Sequence, residues 1–220
     1  MTTLVPTDSK SARKAGSTIH CRPFIWAVVV CAALAGCEKF GAATTPPVVA
    51  FRGADITGAT YAAALALPDI SGKPRTLGDF KGKVTVVFFG YTQCPDVCPT
   101  TMAELAQVKK QLGAEGDKVQ GVFVTIDPER DSPEILKSYM ASFDPSFVAL
   151  RGTLEQTRAA AKEFKVYFEK VPGKVDGSYT MDHSAGSFIL DTKGRPRVFE
   201  RYGAGADGLA SDVKAVLSQG

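Results

Sequence analysis

The run Val84-Thr85-Val86-Val87-Phe88-Phe89-Gly90 leads through Tyr91-Thr92-Gln93 straight into Cys94-Pro95-Asp96-Val97-Cys98-Pro99. Seven residues without polar alternation, rich in β-branched and aromatic side chains, describe a central strand buried on both faces. The segment after it has the helical spacing of Met102, Leu105, Val108 and Leu112, so a helix is expected over 99–112. A buried strand delivering two cysteines to the start of a helix narrows the folds open to this chain more than any other feature.

The rest of the chain agrees with a layered α/β domain. A short strand is expected over 63–68, with the turn Asp69-Ile70-Ser71-Gly72-Lys73 behind it. A second buried strand spans 121–126, and helices follow over 133–143 and 155–164. A strand is expected at 166–169, and Asp191-Thr192-Lys193-Gly194 joins strands at 187–190 and 198–202 as a hairpin. A helix over 208–217 closes the domain. Strand, helix, strand, helix, hairpin and helix make an α/β sandwich with a mixed sheet. The cysteine pair after the first central strand makes it thioredoxin-like.

The N-terminus reads as an export leader. Arg13, Lys14 and Arg22 precede the apolar stretch Phe24 to Ala35, about a dozen residues long, where a helix spanning a membrane needs ~20. The stretch ends in Leu34-Ala35-Gly36-Cys37, which resembles the lipobox of bacterial lipoproteins. The expected organisation is a lipoprotein signal peptide over 1–36, a flexible tether over 37–50 that begins at a lipidated Cys37, and the domain over 51–220. That organisation places the domain in the bacterial cell envelope, facing the periplasm or exterior and held to a membrane by lipid. The formal charge of +3 is set by the leader. Of 26 basic and 23 acidic residues, Lys10, Arg13, Lys14, Arg22 and Asp8 precede Cys37, which leaves 22 of each sign. No basic block remains to argue for nucleic-acid binding.

With Cys21 and Cys31 in the leader and Cys37 assigned to lipid, Cys94 and Cys98 are the domain's two cysteines. A bridge between residues so close in sequence constrains the unfolded chain little, so a staple is a poor reading. At a helix start the two sulfurs share one face, close enough for a disulfide or a common metal ion, and a helix N-terminus favours the thiolate. Two thiolates attract Cu(I) and zinc. Structural zinc takes four ligands, and no cysteine follows Cys98. Copper(I) accepts three, and His183 in Met181-Asp182-His183-Ser184 stands just before a late strand that a thioredoxin-like sheet places beside the cysteine loop.

These residues resemble the Sco/SenC family of copper-binding assembly factors for cytochrome c oxidase. The resemblance is carried by Asp55-Ile56-Thr57-Gly58-Ala59, by Phe89-Gly90-Tyr91-Thr92 before the CxxxCP core, by Asp127-Pro128-Glu129-Arg130-Asp131, and by Asp182-His183-Ser184. It implies Cys94, Cys98 and His183 as ligands of a copper ion, Cu(I) or Cu(II). The implied function is a metallochaperone for the binuclear copper centre of a terminal oxidase, with the copper-bearing oxidase subunit as partner. Other copper chaperones or thiol reductases are further partners on this reading. The alternative is a thiol–disulfide reductase acting through Cys94 and Cys98 as a redox pair on the oxidase subunit's cysteines. CxxxC in place of CxxC, and the absence of proline from residues 182–186, favour metal. A peroxiredoxin fits less well, because Tyr91 stands where its threonine would. For Asp127 two roles stand open, near the metal or partner and purely structural. Asp131 is assigned to the local turn, with Ser132 as helix cap, Pro133 in the first turn and Arg130 paired with an acid. Asp182 either orients His183 or shapes its turn, and Tyr91 and Met102 are expected to pack.

Overall fold

A computed structural model describes residues 50–220. The expected leader, the lipidation site Cys37 and nearly all of the expected tether lie outside these residues. The described residues begin with β1 (Ala54–Asp55) and a small hairpin of β2 (Ala66–Pro68) and β3 (Pro74–Thr76). There follow β4 (Val84–Gly90), α1 (Val97–Gln111), β5 (Val119–Thr125), α2 (Pro133–Ala141), β6 (Val148–Leu150) and α3 (Leu154–Glu163). The last third holds β7 (Phe168–Pro172), β8 (Tyr179–His183), β9 (Gly186–Leu190), β10 (Pro196–Arg201) and α4 (Gly205–Leu217).

Six strands form one mixed sheet in the order β1-β10-β9-β4-β5-β6. β4, β5 and β6 run parallel, whereas β9 is antiparallel to β4, β10 to β9, and β1 to β10. Parallel neighbours need a crossover between them, which α1 and α2 provide. All seven residues of β4 and all seven of β5 are buried, Thr85, Gln120 and Thr125 among them, and the Gln120 side-chain amide donates to the carbonyls of Gly121 and Ser146. Phe88, Phe89, Phe123, Phe164 and Ile189 are among the largest fully buried side chains of the core. The architecture is the thioredoxin-like α/β fold.

Local chemistry sets the boundaries. Gly113, at φ 55°, follows the end of α1 in the left-handed conformation that terminates helices. Thr153 and Gln156 form a capping box at the start of α3, and Ser132 Oγ caps α2 by accepting from Ile135 N. The hairpin expected around Asp191 is present as β9–β10. There the Asp191 carboxylate accepts from the amides of Lys193 and Arg195, and Gly194 takes φ 79°.

The differences from the sequence expectation lie where burial is one-sided or slight. α1 starts at Val97, so Cys98 is already helical. The strand expected at 166–169 is β7, shifted towards the C-terminus and paired with β8, for which the sequence carries no strand signal. Only Phe168 in β7 and Met181 in β8 are buried, so this hairpin shows almost no hydrophobic alternation. The short strands β1, β3 and β6 were likewise too brief to leave a pattern.

Candidate metal centre

β4 and β9 bring the site together. Phe88 pairs with Ser187 near the end of β4 and the start of β9, so the loop after β4 and the residues before β9 meet at one edge of the sheet. The first carries the cysteines and the second carries His183.

Gly90, the last residue of β4, makes room for sulfur. A Cβ there would lie 2.8 Å from Cys98 Sγ and 2.7 Å from the Phe88 ring. The turn that follows is held by Asp131, whose carboxylate accepts from Thr92 N and from the hydroxyls of Thr92 and Thr125. Burial raises the Asp131 pKa, and these donors work against that rise. The helix-cap reading of residues 127–133 holds, with Ser132 as cap and Arg130 paired to Asp127. That reading missed the grip of Asp131 on the cysteine loop, which only the adjacency of β4 and β5 brings about.

Cys94 is half-buried and Cys98 is fully buried. Asp96 flanks α1 without a side-chain cap bond, and the first-turn amide of Cys98 instead donates to Cys94 Sγ at 3.4 Å. Cys94 sulfur thus takes the place of a capping oxygen at the positive end of the helix. Its pKa falls to about 5, first through the Cys98 thiol hydrogen-bonded to it, then through the amides of Cys98 and Asp96. Cys98 moves the other way, pushed up by the Cys94 thiolate beside it and by burial. Near neutral pH the pair therefore holds one proton, on Cys98.

His183 is the last residue of β8, not part of a loop, and its Nε2 lies 3.7 Å from Cys98 Sγ. Nδ1 lies 3.0 Å from the carbonyl of Ser184. With Nδ1–H assigned as donor to that carbonyl, the lone pair of Nε2 faces the sulfurs. Asp182 does not orient the ring, because it is exposed and the Ser184 carbonyl occupies the relevant nitrogen. The rings of Tyr91 and Phe88 stand edge-on to the imidazole at 6.0 and 6.2 Å. Tyr91 and Met102 are buried, as packing residues should be.

The donor atoms of Cys94, Cys98 and His183 all lie within 4.8 Å of one another, the one such cluster found among the described residues. Asp127 is buried but stands outside it, bonded to Arg130 and the Tyr179 hydroxyl. Metal–sulfur and metal–nitrogen bonds of ~2.3 and ~2.0 Å in a trigonal arrangement imply a sulfur–nitrogen edge of about 3.7 Å. The Cys98–His183 spacing already has that value. Two soft sulfurs and one imidazole suit Cu(I) better than a hard cation.

Fold and site together define a thioredoxin-like protein with a three-donor, sulfur-rich cluster that could hold a metal ion. The sequence profile of the SCO1/SenC family matches residues 54–218, and this chain belongs to that family. Among solved structures it is similar to copper-bound ScoI of Bradyrhizobium japonicum, with 41% identity and a TM-score of 0.63 over 70% of this chain and 98% of that one. It is also similar to copper-bound yeast Sco1, with 30% identity and a TM-score of 0.65 over 71% of this chain and 88% of that one. Mouse mitochondrial SCO2 homolog is 39% identical over 59% of this chain and 51% of its own length. A SCO2-like protein of Rickettsia felis is 35% identical over 59% of this chain and 63% of its own. The chain thus matches about half to under two thirds of the length of these curated relatives.

Proposed function

We propose that this protein is a copper metallochaperone that holds one ion on Cys94, Cys98 and His183 and passes it to the copper-bearing subunit of a terminal cytochrome c oxidase. One observation carries this reading. Two sulfurs and a lone-pair nitrogen converge at metal-bridging distance, with no carboxylate in the cluster. Family membership supports it, since solved relatives are described with copper bound and another as a member of a family of cytochrome c oxidase assembly proteins. Export and a lipid anchor on Cys37 belong to the proposal, supported by the leader sequence and by a similar structure described as a SCO1/SenC family lipoprotein of Bacillus anthracis. Among the described residues no helix is long and apolar enough to cross a membrane.

Loading requires the proton on Cys98 to leave. The Cys94 thiolate and the imidazole are ready to accept a soft cation, and ligation by the second sulfur releases the shared proton. A disulfide between the cysteines would remove two of the three donors, so oxidation should empty the site.

The thiol–disulfide reductase stands as a second reading because Cys94 is poised as a thiolate next to a partner thiol. Copper stoichiometry of the reduced full-length protein separates the two. One Cu(I) per chain is expected, with no stoichiometric retention in Cys94→Ala or Cys98→Ala. His183→Ala should fold and bind more weakly by at least the roughly 10–100-fold that outer-sphere partners of metal ligands are worth. Unchanged copper affinity in His183→Ala would remove the imidazole from the site and favour the reductase.

A further inference from the structure

Arg130 lies in the loop between β5 and α2, and its guanidinium joins three separate pieces of chain around the metal centre. Nε pairs with the buried carboxylate of Asp127. Nη1 donates to Gln93 Oε1 at 3.1 Å, the residue before Cys94, and to the carbonyl of Tyr179 at 2.8 Å. The Arg130 Cζ lies 3.6 Å from the centroid of the Tyr179 ring and 5.8 Å from that of Tyr91. The Tyr179 hydroxyl donates back to Asp127 at 2.9 Å, which closes the circuit. Nη2 is buried without a partner. Solvating the charge at the surface would leave no donor stranded, so its position answers to the contacts made by Nε and Nη1.

Tyr179 and His183 are the two ends of β8. That strand belongs to a two-stranded sheet with β7 and makes no ladder with the six-stranded sheet that carries the cysteine loop. Backbone pairing therefore does not set the distance between imidazole and sulfurs. At the His183 end β8 is held by its continuation into β9. Along its length it pairs with β7 and buries Met181, and at the Tyr179 end it is held by Arg130 and by the Tyr179 hydroxyl on Asp127, with a smaller tie through β7 from Lys170 to Glu129. Arg130 bonds both the Tyr179 end of β8 and the residue before Cys94, so its loss unties that end of the strand from the cysteine loop.

We propose that Arg130 is a positioning residue for the His183 arm of the metal centre, tying β8 to the cysteine loop so that the imidazole stays in reach of both sulfurs. The proposal rests on the copper reading above. A residue that merely stabilises the fold would weaken binding whether or not the imidazole is present. A residue acting through His183 loses its effect when the imidazole is gone.

The test is a double-mutant cycle in the reduced full-length protein. Cu(I) affinity is measured by competition with a chromophoric Cu(I) chelator for the wild type, Arg130→Met, His183→Ala and the double variant. Arg130→Met should weaken Cu(I) binding by roughly 10–100-fold, as loss of an outer-sphere support does. The double variant should bind within about twofold of His183→Ala, because the coupling is complete. Hydrogen exchange of the copper-free protein should show faster exchange at 180–183 in Arg130→Met with β4 unchanged. An equal loss of affinity in both backgrounds, or no loss at all, overturns the proposal. If Arg130→Met loses the protection of β4 and so the fold, Gln93→Leu removes the strut from Arg130 to the cysteine loop, and Tyr179→Phe removes the hydroxyl that ties β8 to Asp127. Their smaller losses must also vanish in the His183→Ala background, and additivity there is equally fatal. If His183→Ala alone leaves Cu(I) affinity unchanged, the copper reading fails. In that case exchange at 180–183 in the copper-free protein still decides whether Arg130 holds β8.

Discussion

The two arms of the candidate metal centre are built differently. The sulfur arm is anchored in the core: Cys98 is fully buried in the first turn of α1, against Gly90 at the end of a strand whose seven residues are all buried, with Cys94 half-buried beside it. The imidazole hangs on a satellite hairpin in which Phe168 and Met181 are the buried residues. Stability is not uniform across a structure, and segments with few buried apolar contacts open at lower free energy than core strands. The contrast suits a carrier. On the proposed carrier reading, the sulfurs would retain a soft ion while an imidazole on a less buried arm could be withdrawn without unfolding the domain.

Three measurements would break or sharpen that contrast, and the largest effect is expected between the two sulfurs themselves. Alkylation of the reduced, copper-free protein should modify Cys94 at least ~100-fold faster than Cys98, since only Cys94 is both accessible and thiolate. The sign of the pH dependence follows from the lowered pKa. Cys94 is ionised above about 5, so its rate should be flat between about pH 6 and 8 and fall about tenfold per unit below about 5, whereas an ordinary thiol near 8.5 climbs across that range. Equal modification of both cysteines, or a rate for Cys94 that climbs tenfold per unit near neutrality, would show that Cys98 does not carry the shared proton.

Next in size is the difference between strands. Amide exchange should give β8 an opening free energy at least ~2 kcal/mol below that of β4, which should open only with global unfolding. Matching protection in the two strands would remove the idea of a separable arm.

The smallest effect is on stability. Gly90→Ala places a methyl against Cys98 Sγ and the Phe88 ring and should cost about 1–3 kcal/mol of unfolding free energy, with weakened Cu(I) binding. Val175→Ser at the hairpin tip, where Val175 is 72% exposed, should change stability by no more than ~0.5 kcal/mol. Denaturant unfolding of both variants checks the pair. A costly Val175→Ser would mean that the hairpin is part of the core after all.

The readable parts of the fold are those with two-sided burial or strong turn chemistry. β4 and most of β5 announce themselves as runs of β-branched and aromatic residues without polar alternation, and the Asp191 turn as a hairpin. The hairpin β7–β8 does not, because one buried side chain per strand leaves no period to detect. The same holds at the site. CxxxCP at the end of a buried strand marks the sulfurs, and His183 stands out as the single histidine beyond the leader. Gln93, Arg130 and Tyr179 lie up to 86 positions apart in the chain, and nothing local to any of them points to the other two.

By itself, the sequence determined the sheet's central strands, the α/β layering and the two cysteines at a helix start. These are local properties, since periodicity, capping and residue chemistry act over a few positions, whereas His183 is singled out as their partner only through the expected fold and the family resemblance. Tertiary structure alone decided that Cys94 sulfur caps α1 and Cys98 keeps the proton, that Ser184 and not Asp182 orients the imidazole, and that Arg130 ties its strand to the cysteine loop. Each of these depends on which groups a folded chain brings within a few ångströms, and hydrogen bonds and burial act only across such distances.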